Sequence, residues 1–202
     1  MYADKCERWK LLLTLWLLGC IELYFADETG FTMQPYVPYA WQKKTVTHRV
    51  FARRSPHRLN VFGLMRLDNQ LTIYHREEPI DGAFIRESLD SFSRLPHSKP
   101  RVIVLDNGPV HHASVVKANL AVWEAAELYL FYLPAYSPHL NPVEILWRFC
   151  KYHWLSKAKY KTWLGLKRAI LAILRGFGTT YCINFTSLVQ NNALTNAKVN
   201  SA

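Results

Sequence analysis

Three acidic residues stand where the chain could do chemistry. Asp27 follows an alternating, β-rich run at residues 21–26 (Ile-Glu-Leu-Tyr-Phe-Ala) and opens the loop-like string Asp27-Glu28-Thr29-Gly30. Asp106 follows residues 101–105 (Arg-Val-Ile-Val-Leu), a continuous apolar run of the kind that forms a strand buried on both faces. Glu144 comes after 37 intervening residues, in the first turn of a helix opened by Asn141-Pro142. If the first two strands are adjacent and parallel, both Asp side chains sit at the carboxyl ends of the strands, where open α/β sheets bind ligands. Three carboxylates there suit a hard divalent cation, which takes oxygen ligands and fills its shell with water and phosphate. Two such ions can activate an attacking hydroxyl and steady the leaving oxygen of a phosphodiester. Each acid also has a structural explanation. Asp27 and Asp106 can simply start turns, and Glu144 falls at the capping-box position if Asn141 is the N-cap and Pro142 the first helical residue.

The elements that must position these acids can be read from periodicity. Residues 59–66 and 71–75 flank Asp68-Asn69 as a β-hairpin. Residues 79–95 space Ile80, Phe84, Ile85, Leu89 and Phe92 at helical intervals. A second helix is expected over 112–126 and a strand over 128–133, then a long helix from Pro142 to about Tyr152. A last amphipathic helix spans 163–175 and stops at Gly176 and Gly178. Hairpin strands first and alternating strands and helices later predict a mixed sheet with helices on its faces.

Charge points to the partner. The 202 residues carry 25 Lys and Arg against 15 Asp and Glu, a net +10. From Thr29 to Leu67 there are seven cations and no acid, and from Ile145 onward nine cations and no acid. Aromatic residues (Phe51, Phe62, Trp147, Trp154, Trp163) lie beside these cations. Phosphate backbones need cations and rings can stack on bases, so nucleic acid is the expected partner, against the alternative of ordinary solvated faces. The candidates for phosphate contact are Lys43, Lys44, Arg49, Arg53, Arg54 and Arg58, together with Arg148 and Lys151, which follow Glu144 at spacings of four and seven on one helical face.

The N-terminus carries a decoy. Residues 11–21 form an apolar run after Lys5, Arg8 and Lys10, and Leu17-Leu18-Gly19-Cys20 looks like a lipoprotein cleavage box. The run is too short to span a membrane, and Asp4 and Glu7 spoil the positive leader, so a helix docked on the core is expected. The four cysteines, Cys6, Cys20, Cys150 and Cys182, contain no Cys-x-x-Cys pair and are expected to be mostly buried thiols in a reducing compartment.

Three blocks carry a family resemblance: Tyr24-Phe25-Ala26-Asp27-Glu28-Thr29-Gly30-Phe31, Val104-Leu105-Asp106-Asn107-Gly108-Pro109-Val110-His111, and Leu133-Pro134-Ala135-Tyr136-Ser137-Pro138-His139-Leu140-Asn141-Pro142-Val143-Glu144, the last followed by Trp147 and Lys151. In this order they resemble the signature blocks of mariner-type DDE transposases, specifically the bacterial insertion-sequence branch, over residues 21–178. The resemblance implies an α/β fold of the ribonuclease H-like type, a five-stranded mixed sheet with helices on both faces. It implies Asp27, Asp106 and Glu144 as the catalytic, metal-binding triad for two Mg2+ or Mn2+ ions, with Asn107, His111 and Asn141 as supporting residues that orient carboxylates or contact phosphate. The implied reaction is strand cleavage at transposon ends, then attack of the freed 3′-hydroxyl on target DNA.

The implied partner is double-stranded DNA, bound by a homodimer in the cytoplasm at the nucleoid and not at a membrane. Residues 1–20 are expected to be a helix left from a linker, 21–178 the catalytic domain and 179–202 a polar tail. Two departures stand out. His139 replaces an acid usual in the third block, and about twenty residues before the first catalytic strand leave no room for a helix-turn-helix recognition region, which is expected on a separate part. The alternatives are a catalytically silent DNA-binding remnant or another nuclease on the same fold.

Overall fold

A computed structural model describes residues 2–36 and 55–186 of the chain. It begins with helix α1 (Tyr2–Leu17) and continues through strands β1 (Glu22–Thr32), β2 (Arg58–Met65) and β3 (Leu71–Arg76). Helix α2 (Gly82–Ser93) leads to β4 (Arg101–Leu105), short helices α3 (Ser114–Lys117) and α4 (Leu120–Ala125), and β5 (Leu128–Tyr132). Helix α5 (Val143–Phe149) runs into a π turn (Cys150–Trp154), and α6 (Trp163–Arg175) follows. The strands form one five-stranded sheet in the order β3-β2-β1-β4-β5. Strands β1, β2 and β3 pair antiparallel in succession, while β4 is parallel to both β1 and β5. With helices on both faces, this is the ribonuclease H-like α/β fold.

Strand alternation divides the core in two. Leu23 and Phe25 of β1 and Val104 of β4 face a cluster built with Trp9 and Leu13 of α1, Leu146 and Trp147 of α5, and Leu166 and Ile170 of α6. Tyr24 and Ala26, with Ile103 and Leu105, face the opposite cluster of Ile85, Leu89 and Phe92 from α2, Val116 from α3 and Trp123 from α4. Each large apolar side chain so buried contributes about 1.5–3 kcal/mol, which is why β1 and β4 read as apolar on both sides. Local caps fix the helix ends. Asp81 accepts from Phe84 N at 2.9 Å, and Thr162 accepts from Gly165 N at 3.1 Å. The buried Arg101 guanidinium donates to Phe92 O and Ser93 O at 2.8 and 2.7 Å, so strand β4 satisfies the last carbonyls of α2.

Several expectations need correction. β1 does not end at Asp27 but runs on to Thr32, because the string Asp27-Glu28-Thr29-Gly30 pairs with Gly63, Phe62, Val61 and Asn60 of β2. The expected helix over 112–126 is instead a 3-10 turn (Pro109–His112) and the two short helices α3 and α4, interrupted where Asn119 donates its side-chain N–H to Val115 O at 2.8 Å. The helix expected over 79–95 starts later, at the Asp81 cap, and the α-helical part of the helix after Pro142 stops at Phe149. The cysteines are free but not mostly buried: Cys150 is, whereas Cys20 and Cys182 are exposed.

Beyond α6 the described residues, as far as Thr186, stay against the domain, with Phe177, Ile183 and Phe185 in the first cluster. Asn69, at the β2–β3 turn with φ of 65°, donates to Ile183 O at 3.1 Å and accepts from Ile183 N at 2.7 Å. No helix among the described residues is long and apolar enough to cross a membrane.

Candidate active site

The crevice begins where two strands part. Parallel pairing of β1 with β4 ends at Phe25 and Val104, so Asp27 and Asp106 both lie just past the last paired residues. Asp106 caps its own turn by accepting from Gly108 N at 2.8 Å. Glu144 enters from α5, whose start is fastened to β1 by Asn141 Nδ2 donating to Ala26 O at 3.0 Å. Asn141 Oδ1, the atom a cap would use, accepts from no helix N–H, so the alternative in which Asn141 caps the helix and Glu144 completes a capping box is not realised. The first residue before α5 is Pro142, with no side-chain cap.

Electrostatics link the three acids. The Asp27 carboxyl is pushed up to about 7, first by burial, then by the charge of Glu28, with Asp106 and Glu144 adding smaller contributions. Glu144 is raised by burial and by Asp106. Among the described residues, neither Asp27 nor Glu144 pairs with Lys or Arg, and Asp106 pairs with a histidine alone. A compact groove of about 540 Å3 is lined by Asp27, Glu144, Asn141, Trp147, Arg148 and Lys151 among others. Asp106 stands beyond this lining, on the β4 side.

Neighbouring residues of β1 point to opposite faces. Asp27 faces α5, where Trp147 Nε1 donates to its Oδ2 at 3.1 Å. Gly63, directly across from Asp27 on β2, makes room for the indole ring. Glu28 faces the other way. There His111, 0 % exposed, places Nε2 3.3 Å from Glu28 Oε1 and 3.2 Å from Asp106 Oδ1, ionic contacts lying off the hydrogen-bond axis. Burial opposes charge on this ring, but the two carboxylates prevail and raise His111 to about 9. The same contact with His111 lowers the Asp106 carboxyl. His111 is further held by its carbonyl, which accepts from Tyr132 OH at 3.1 Å.

Of the expected supporting residues, Asn141 and His111 therefore sit beside the acids. Asn107 is engaged elsewhere, donating to Leu133 O and meeting His112 Nε2 through its Oδ1 at 3.0 Å. Of the expected phosphate contacts, Arg148 and Lys151 share the groove with Asp27 and Glu144. Lys151 lies 5.6 Å from the Phe31 ring centroid and 5.0 Å from that of Tyr36, and burial lowers its proton affinity. Arg58 opens β2 opposite Thr32 and lines an adjoining groove of about 690 Å3 with Glu28 and Tyr36. Lys43, Lys44, Arg49, Arg53 and Arg54 lie outside the described residues. Trp147 and Phe62, expected beside the cations as rings that could stack on bases, are instead buried in the core, while Glu28 and Gly63 carry no role in the sequence reading. A glycine inside an apolar strand, a signal of close approach, was the available hint for Gly63.

The donor set fits a hard divalent cation in chemistry and charge. It is all oxygen and, among the described residues, unpaired with Lys or Arg; Asp106 raises the proton affinity of both Asp27 and Glu144, while His111 keeps Asp106 itself ionised. Spacing is looser: among the described residues no three His, Cys, Asp or Glu side chains form a compact ligand cluster.

The family described as DDE superfamily endonuclease matches residues 22–167. No curated protein sequence matches the chain. Among solved structures, the Mos1 strand transfer complex is similar at a TM-score of 0.61 and 15 % identity, over 95 % of this chain and 59 % of that one. The Mos1 mariner paired end complex with Mn is similar at 0.61 and 16 %, over 96 % and 62 %. A pre-cleavage Mos1 transpososome is similar at 0.58 and 17 %, over 87 % and 56 %. The chain thus spans about three fifths of the Mos1 chains it resembles, and at these identities the likeness is one of fold. With its family matched across strands β1 to β5 and the start of α6, the chain belongs to the DDE superfamily endonucleases.

Proposed function

We propose that residues 21–178 are the catalytic domain of a mariner-type transposase, of the bacterial insertion-sequence branch, that cleaves DNA strands at transposon ends and transfers them into target DNA. The observation that carries this reading is the placement of Asp27 and Asp106 just past the last paired residues of the parallel strands β1 and β4, with Glu144 on α5 near enough that its charge and that of Asp106 raise Asp27.

Asp27, Asp106 and Glu144 would hold two Mg2+ or Mn2+ ions, which when bound supply Lewis acidity for phosphodiester cleavage and strand transfer. The remaining work falls to the chain itself. His111 holds Asp106 from behind, and Asn141 holds the start of the Glu144 helix against β1. Arg148 and Lys151 stand on the groove wall, where they would bind phosphate. In this reading the partner is double-stranded DNA, bound as a homodimer in the cytoplasm at the nucleoid. Recognition of specific ends would lie with a helix-turn-helix part outside residues 21–178. The α1 helix would be linker and the segment from 179 a tail.

Thermal unfolding of the wild type and Asp106→Asn, with and without Mn2+, tests the metal reading. Mn2+ should raise the wild-type midpoint and not that of the variant. Equal responses, or none, would favour the alternative of a catalytically silent DNA-binding domain, to which the loose spacing of the acids lends its support.

A further inference from the structure

The contact between Trp147 and Asp27 has a construction that packing alone does not require. Trp147 is 5 % exposed, and a buried indole N–H needs an acceptor. Its acceptor is Asp27 Oδ2, at 3.1 Å, across 120 positions of sequence. The ring reaches that oxygen because β2 carries glycine opposite Asp27. A Cβ at Gly63 would stand 2.7 Å from Trp147 Cη2 and 2.9 Å from Cζ2, closer than side-chain atoms approach. A lysine or arginine in this place would neutralise Asp27 and compete with any cation. An indole fixes the carboxylate and leaves its charge in place.

The same bond ties two elements together. Trp147 is three residues after Glu144 on α5, so the two side chains lie on neighbouring parts of one helical surface. Anchoring the indole to β1 therefore sets how far the Glu144 turn stands from the Asp27 strand. Asn141, bonded to Ala26 O, fixes the same helix one turn earlier.

We propose that Trp147, seated against Gly63, is a positioning residue for the metal site: it commits Asp27 Oδ2, presents Oδ1 to the cation, and holds α5 at the distance the acids need. This rests on the metal reading of Asp27, Asp106 and Glu144.

The test uses the full chain and Mn2+ alone. In Trp147→Phe the ring remains and the donor is lost, and the Mn2+ binding midpoint should rise roughly tenfold, the usual scale for partners that orient ligands. Gly63→Ala should displace the ring and produce the same shift, and the double variant should bind no worse than Trp147→Phe. A purely structural role would lower the unfolding temperature and leave the Mn2+ midpoint where it was, which overturns the proposal. A second readout is independent of metal. In protein labelled with 15N at tryptophan, the indole signal missing from Trp147→Phe should move in Asp27→Asn. If it does not move, the contact is not made in solution and the proposal fails. If it moves but the wild type binds no Mn2+, the metal reading fails and the contact is structural only.

Discussion

Asp27 and Glu28 are neighbours on one strand and live in opposite chemical worlds. Asp27 faces a neutral indole and is pushed up to about 7 by burial and by other acids. Glu28 faces a fully buried imidazole that it shares with Asp106. The first carboxylate is oriented but not neutralised, so it remains able to take a cation. The second is already paired, and its partner holds strand β1 to the turn after β4. Asp106 stands between the two, its Oδ1 engaged by His111 and by the Gly108 N–H while the carboxylate as a whole remains half exposed at the strand end.

The largest effect should come from breaking the frame. His111→Ala leaves Glu28 without its buried partner and opens a hole, and should cost about 3 kcal/mol in stability by denaturant unfolding. A loss under 1 kcal/mol would mean that the Glu28 and Asp106 contacts are incidental. Next comes the contrast itself. At a hundredfold excess over Kd, Mn2+ should stabilise the wild type by about 2.7 kcal/mol. Asp27→Asn should abolish that gain and Glu28→Gln should keep most of it. Equal loss in both would erase the distinction.

The contrast also has a pH signature without metal. Asp27 binds its proton more tightly folded than unfolded, since about 7 lies above its ordinary 3.8. Its contribution is full below about 4 and is lost as pH climbs to about 7. His111, raised from 6.5 to about 9, likewise contributes below 6.5 and loses that contribution toward 9. Asp106, which is lowered, works in the other direction, and its contribution disappears on acidification. Metal-free protein should therefore lose stability from pH 5 to 9. Asp27→Asn should flatten the lower half and gain roughly 2 kcal/mol at pH 8. Smallest in stability is Arg148→Ala, within about 0.5 kcal/mol of wild type. It should nonetheless flatten the salt dependence of DNA binding by about one unit of slope. An unchanged slope removes Arg148 from the DNA surface.

Much of this was legible where structure is local. β4 at 101–105 and α6 at 163–175 have the boundaries that apolar run and helical periodicity predict, because each is decided within its own window. The end of β1 was not, since loop-forming letters at 27–30 are overruled by pairing with β2. The acids were visible as strand-end and helix-start residues. Their supports were not. Trp147 meets Asp27 only because Gly63 falls opposite it in the register, and Glu28 meets His111 only because a 3-10 turn carries that ring under the sheet. Such pairs depend on which strands lie side by side, and no short stretch of sequence states that.

The sheet order has a consequence for the growing chain. Strands β1 to β3 are consecutive antiparallel neighbours and can pair before the rest is made, whereas β4 must return beside β1 from across that unit, and α5 comes later still. Asp27 belongs to the early half, Asp106 and Glu144 to the late half. An unfinished or half-folded chain therefore possesses no complete set of acids. In the proposed reading, the capacity to cut DNA arises with the last long-range docking step, and a nascent fragment released early is harmless to the genome.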